Sequence, residues 1–132
     1  MDDARLAGIP LFSGLSRRDR RAVAVLAEEI EVDSGQHLVR EGELGYEVFA
    51  IEDGRVEVTH DGRCLADLGP GDFFGELAVM SQLPRSASVV TTSPVRAIVM
   101  TRQAFRQVAR TMPGIAEILK ATMEQRTRTL AP

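Results

Sequence analysis

Cysteine and histidine are scarce in this chain, which has one of the first, Cys64, and two of the second, His37 and His60. A lone cysteine forms no internal disulfide, and with two histidines it leaves a tetrahedral Cys/His metal site one ligand short. Long apolar runs are missing too. The longest spans only Ala22 to Ala27, far below the roughly 20 residues of a membrane-spanning helix. The opening Met1-Asp2-Asp3 has neither the basic nor the apolar region of a secretory signal. A soluble cytoplasmic chain without a metal site is therefore expected. Positive charge is also in short supply: 16 Lys and Arg stand against 19 Asp and Glu, a net charge of −3. That balance argues against nucleic-acid binding through bulk positive charge.

What is present is enough for one folded domain. The 132 residues, 44% of them hydrophobic, can bury roughly two-thirds of the surface of the unfolded chain and need no disulfide or metal to sustain a core. We expect a single domain over 1–132, with N-terminal helices in 1–29, a β-roll in 30–100 and C-terminal helices in 101–132.

Local signals support that division. Ser16 followed by Asp19 resembles a capping box, and Val23, Leu26, Ala27 and Ile30 recur at helical spacing. A shorter turn is expected over Asp3 to Gly8, with Ile9-Pro10-Leu11-Phe12 as an apolar linker tucked into the core. From Ile30 to Met100, turn residues recur every eight to twelve positions, which reads as an antiparallel sandwich or roll. Asp53-Gly54, between Val48–Ile51 and Val56–Val58, is the strongest hairpin signal. Thr101 is a plausible N-cap for a helix over 102–110, and Pro113-Gly114 separates it from a last helix over about 115–129. Ile115, Ile118, Leu119 and Met123 form an apolar stripe on that helix. Cys64 reads as an inert buried thiol, and His37 and His60 as solvated strand residues.

Charge is uneven along the chain. Ten acids lie between Glu28 and Glu57 against Arg40 and Arg55, and Arg17, Arg18, Arg20 and Arg21 cluster just before them. Solvated faces of opposite sign account for this pattern.

One stretch departs from ordinary roll chemistry: Gly71-Asp72-Phe73-Phe74-Gly75-Glu76-Leu77-Ala78-Val79-Met80, then Pro84-Arg85-Ser86-Ala87-Ser88. Residues 75–80 suit one or two helical turns inserted between strands, whose first N–H groups lack internal partners and so favour an anion. Arg85 can aim a planar fork of donors at the same place, and such a fork pairs well with a phosphate. Glu76 then makes sense as the acceptor for a hydroxyl beside that anion. A ribose phosphate combines both groups, and Gly75 permits close backbone approach to it.

These residues strongly resemble the phosphate-binding cassette of cyclic nucleotide-binding domains, the type found in catabolite activator protein and in regulatory subunits of cAMP-dependent protein kinase. The likeness rests on Phe74-Gly75-Glu76-Leu77-Ala78 and Pro84-Arg85-Ser86-Ala87. Family landmarks in the right order extend it: Pro10-Leu11-Phe12, Arg40-Glu41-Gly42-Glu43, Glu52-Asp53-Gly54-Arg55-Val56 and Gly69-Pro70-Gly71-Asp72. The resemblance implies a mainly β jelly-roll with flanking helices, a cassette over 71–89, and a non-catalytic sensor of cAMP or, less preferred, cGMP.

By the same resemblance, ligand contacts fall to Phe74, Gly75, Glu76, Leu77, Ala78, Arg85, Ser86 and Ala87. Glu76 and the Gly75 N–H would hold the ribose 2′-hydroxyl, while Arg85, the Ser86 hydroxyl and the Ala87 N–H would cradle the cyclic phosphate. Purine contacts are expected from Leu65 and Leu68 and, through a closing C-terminal helix, from Ile118, Leu119 or Met123. No cofactor beyond the nucleotide ligand is implied. Partners would be an effector protein or a second copy, not nucleic acid or membrane. On this reading the chain is a sensor without an effector. The rival readings are a piece of a cAMP-responsive transcription regulator and an interaction module of the same fold that binds no nucleotide.

Overall fold

The computed structural model describes residues 1–75 and 84–129. Three short helices come first: α1 (Asp3–Leu6), α2 (Pro10–Ser13) and α3 (Arg17–Leu26). Side-chain caps start two of them, the Asp2 carboxylate accepting from the Ala4 N–H at 3.0 Å and the Ser16 hydroxyl from the Asp19 N–H at 3.1 Å. The segment read as an apolar linker is partly helical. Pro10 opens α2 at a first-turn position that needs no N–H, and Ile9, Leu11 and Phe12 are all buried.

Eight strands follow among the described residues: β1 (Glu28–Val32), β2 (His37–Val39), β3 (Glu47–Asp53), β4 (Val56–His60), β5 (Arg63–Leu68), β6 (Phe73–Phe74), β7 (Ser88–Thr91) and β8 (Val95–Thr101). They form two four-stranded sheets, β1-β8-β3-β6 and β2-β7-β4-β5, and every pairing is antiparallel. Two helices close the chain, α4 (Arg102–Thr111) and α5 (Pro113–Thr129). The Thr101 hydroxyl caps α4 by accepting from the Ala104 N–H at 3.2 Å. Only Met112 parts the two helices, because Pro113 and Gly114 belong to the first turn of α5.

The first sheet is covered on both faces, so its central strands lose the polar alternation of a half-exposed strand. Val48 and Ala50 of β3, with Ile98 and Met100 of β8, pack against Phe12, Val23, Phe105, Val108 and Ile115 of the helices. Phe49, Ile51, Ala97 and Val99 face the other way and meet Val56, Val58 and Val89 of the second sheet. Burial on this pattern contributes about 1.5–3 kcal/mol for each large apolar side chain. Arg5 adds ion pairs to Glu29 of β1 and Glu52 of β3 that tie α1 to the first sheet.

The hairpin falls one turn later than the sequence signal suggests. β3 and β4 belong to different sheets, so Asp53-Gly54 is a corner between sheets, and Asp61-Gly62 makes the tight hairpin joining β4 to β5. The two Asp-Gly pairs differ in backbone. Asp61 and Gly62 both have positive φ, 51° and 77°, as the favoured two-residue turn requires, whereas among described non-glycine residues Asp61 alone has it.

Candidate phosphate-binding site

The candidate site grows out of the end of β6. Phe73 and Phe74 pair with Ala50 and Phe49 of β3, and the Phe74 ring stacks on Phe49 with centroids 4.9 Å apart and planes 11° apart. That stacking fixes the following residue, Gly75, against the start of β3. Gly75 has φ +96°, and a Cβ there would lie 2.6 Å from the Glu47 carbonyl oxygen and 2.8 Å from Arg85 Nη1. The backbone is therefore packed directly on Arg85, an approach open only to glycine.

Arg85 reaches the same place from the far side of the cassette. Its Nη1 donates to the Gly75 carbonyl at 3.0 Å and its Nη2 to the Glu47 carbonyl at 2.9 Å. Its main chain is held as well: the Arg85 N–H donates to the Glu43 carbonyl at 2.7 Å, and the Arg85 carbonyl accepts from the Gly42 N–H at 2.9 Å. The residue is 9% exposed. A charge so deeply placed needs such charge-assisted bonds to offset its lost hydration.

The structure thus brings Gly75 and Arg85 together, as expected. Ser86 is exposed at the rim, and Ala87 is half-buried against the inter-sheet core. Phe74 is 3% exposed, so its ring serves the core under the cassette and only its backbone borders the site. Glu76, Leu77 and Ala78 lie outside the described residues, as do the side chains of Leu119 and Met123. Leu65 and Leu68 are half-buried on the edge strand β5 and pack against the inter-sheet core. Ile118, on α5, is 39% exposed.

The loop between β2 and β3 is the part that residue chemistry alone missed. Gly42 and Glu43 of the loop, with Glu47 at the start of β3, hold Arg85 through backbone groups, which leave no mark in side-chain identity. The same loop is tied to the C-terminal helices, because Arg102 Nε and Nη2 donate to the Gly45 carbonyl at 3.2 and 2.6 Å. The Arg102 guanidinium also lies 5.2 Å from the centre of the Tyr46 ring.

Two other expectations are corrected. Cys64 is exposed, not buried: it lies on β5, an edge strand, next to a register shift opposite Val58 and Thr59. His60 is not a simply solvated residue, since its ring meets Glu41, Asp61 and the Ser86 carbonyl. His37 is exposed, as expected.

The Cys64 thiol is pushed above the ordinary thiol range, first by lost hydration and then by the Glu57 carboxylate, which both repels a thiolate and hydrogen-bonds the thiol. A raised value means less thiolate at any given pH. Alkylation by iodoacetamide at pH 8 should therefore be slower than for a free cysteine and should rise at higher pH than usual. Glu57→Gln should speed it at pH 8, and a pH profile unchanged by that substitution would contradict the assigned cause.

The profile of the family described as "Cyclic nucleotide-binding domain" matches residues 29–112, and the chain belongs to that family. Two relatives place it further. It is 37% identical over 98 residues to a cAMP-dependent protein kinase regulatory subunit of Yarrowia lipolytica, covering 74% of this chain and 26% of that protein. It is 32% identical over 131 residues to the CRP-like cAMP-activated global transcriptional regulator of Mycobacterium tuberculosis, covering 96% of this chain and 58% of the regulator. Among solved structures, the catabolite activator protein of Thermus thermophilus superposes with a TM-score of 0.79 at 30% identity, over 90% of this chain and 58% of that one. The chain therefore spans only part of the length of these proteins. No described helix is long and apolar enough to cross a membrane.

Proposed function

We propose that this chain is a non-catalytic regulatory module that binds a cyclic mononucleotide, cAMP in preference to cGMP, at the cradle made by Gly75 and Arg85. One observation carries the reading: a nearly buried arginine is held by the Gly75 and Glu47 carbonyls at the mouth of the cassette. Such a fork is oriented before any ligand arrives, which lowers the entropy cost of capturing a phosphate. The choice of ligand is supported by the two relatives, one a subunit of a cAMP-dependent kinase and the other a cAMP-activated regulator. Glu76 takes the ribose hydroxyl, and the Ser86 hydroxyl and Ala87 N–H complete the phosphate cradle.

The signal leaves through the C-terminal helices. Ile118 on α5 is exposed enough to gain cover from a purine, and sequence spacing puts Leu119 and Met123 in the same apolar pattern. Closure of α5 over the base shifts a pre-existing equilibrium by no more than the ligand's differential affinity for the two forms. The receiver is an effector protein or a further part of a longer chain.

Calorimetric titration with cAMP and cGMP tests this directly. One-site binding with cAMP the tighter ligand is expected, and ligand at a hundred times its Kd should add about 2.7 kcal/mol of stability. A flat titration with both nucleotides, together with an unchanged melting curve, would leave only an interaction module of the same fold.

A further inference from the structure

We propose that His60 is a positioning residue for phosphate capture: it holds the Ser86–Ala87 peptide so that the Ala87 N–H points into the cradle. The inference rests on the nucleotide reading above and adds a residue to it. Ser86 and Ala87 lie just before β7, whose ladder with β4 begins at the pair of Thr59 and Ser88. The peptide between them is therefore outside that ladder, and another contact must fix its plane.

His60, the last residue of β4, supplies that contact. Its Nδ1 lies 3.0 Å from the Ser86 carbonyl oxygen and 3.0 Å from Glu41 Oε2. Both are acceptors, so Nδ1 carries a proton and donates to them. Nε2 lies 3.4 Å from the largely exposed Asp61 carboxylate and donates there when the ring is charged. Glu41 braces the ring from the loop after β2, since its Oε1 accepts from the Asp61 N–H at 3.2 Å and its own N–H donates to the Ser88 hydroxyl at 3.0 Å. Water could satisfy the Ser86 carbonyl but would leave the peptide free to turn, whereas a braced ring fixes its direction.

Planarity converts this contact into an aim. The Ser86–Ala87 peptide is trans, so its C=O and N–H point in opposite directions. β7 lies between β4 and β2. With the Ser86 carbonyl drawn to His60 on β4, the Ala87 N–H faces the β2 side, where Gly42 and Glu43 hold Arg85. Among the described residues no group accepts from this N–H, which leaves the donor for the phosphate. A hydrogen bond to the carbonyl also polarises the amide and strengthens its N–H as a donor.

The test measures cAMP affinity by calorimetry in His60→Ala, His60→Gln and His60→Asn, with the Ala87 amide signal read by NMR in the nucleotide-free proteins. An asparagine amide nitrogen takes the place of Nδ1, whereas a glutamine amide nitrogen takes that of Nε2. His60→Ala and His60→Gln should each bind cAMP about fivefold more weakly, and His60→Asn should stay within about twofold of wild type. The Ala87 amide signal should move in the first two and stay near its wild-type position in His60→Asn, while all three keep the native circular dichroism. Rescue by asparagine alone marks a bond made from the Nδ1 position, not a general need for the ring. Wild-type cAMP affinity in His60→Ala overturns the inference, as does His60→Asn as weak as His60→Ala or an Ala87 signal indifferent to all three substitutions. A flat titration of the wild-type chain removes the nucleotide reading itself, and this inference with it.

Discussion

Arg85→Ala is expected to weaken cAMP about a hundredfold, a loss of about 3 kcal/mol, because two charge-assisted bonds to the phosphate disappear. The substitution also releases the Gly75 and Glu47 carbonyls that Nη1 and Nη2 now satisfy. Two carbonyls left without donors in a nearly closed place cost further stability, so the variant should melt lower than the wild-type chain. Affinity must therefore be measured on protein shown to be folded, and calorimetry below the melting transition does this. Arg85→Lys separates charge from geometry. It keeps the cation but loses the planar fork, so it can bond one carbonyl or one phosphate oxygen where arginine bonds a pair. It should remain at least tenfold weaker than wild type. Near-native cAMP affinity in Arg85→Ala would remove Arg85 from the site and with it the proposed cradle.

Legibility in the sequence followed the kind of contact involved. Elements defined by local rules were readable. Ser16 and Thr101 cap α3 and α4 as their positions suggest, and Val56 and Val58 face the core with Glu57 between them. The meeting of Gly75 and Arg85 was readable because the two residues stand at a fixed separation at the ends of one motif. Three features depended on tertiary arrangement and were not. Asp53-Gly54 carries the strongest hairpin signal in the sequence, and only sheet assignment shows that it is a corner and that Asp61-Gly62 is the hairpin. The general burial of free thiols suggests a buried Cys64, whereas its place on an edge strand beside a register shift leaves it exposed. The clamp on Arg85 acts through the carbonyls of Glu43 in the loop and of Glu47 at the start of β3, which any residue at those positions would present. The same limit hid His60, whose partners Glu41 and Ser86 lie far from it in the sequence.

Gly75→Ala is expected to reduce stability and nucleotide affinity together. Holding alanine at φ +96° costs about 1 kcal/mol. The new Cβ would also stand 2.6 Å from the Glu47 carbonyl oxygen. That oxygen belongs to β3, which is held between β8 and β6, so the strand cannot retreat without breaking its ladder. The second neighbour, Arg85 Nη1 at 2.8 Å, is the end of a flexible side chain and would move first. Its movement breaks the bond to the Gly75 carbonyl and turns the fork away from the phosphate. Strain of this kind adds about 1–3 kcal/mol, which together with the backbone term lowers the melting temperature by roughly 10 °C. Gly54→Ala provides the contrast. There φ is +92° and the Cβ would lie 2.2 Å from the Pro94 carbonyl oxygen and 2.9 Å from Val95 Cα, both backbone atoms at the corner between the sheets. Its stability loss should be at least as large, while the molecules that remain folded should bind cAMP normally. Equal loss of affinity in both variants would mean that Gly75 acts only through stability, and a Gly75→Ala protein with wild-type melting would remove the close approach on which the cradle depends.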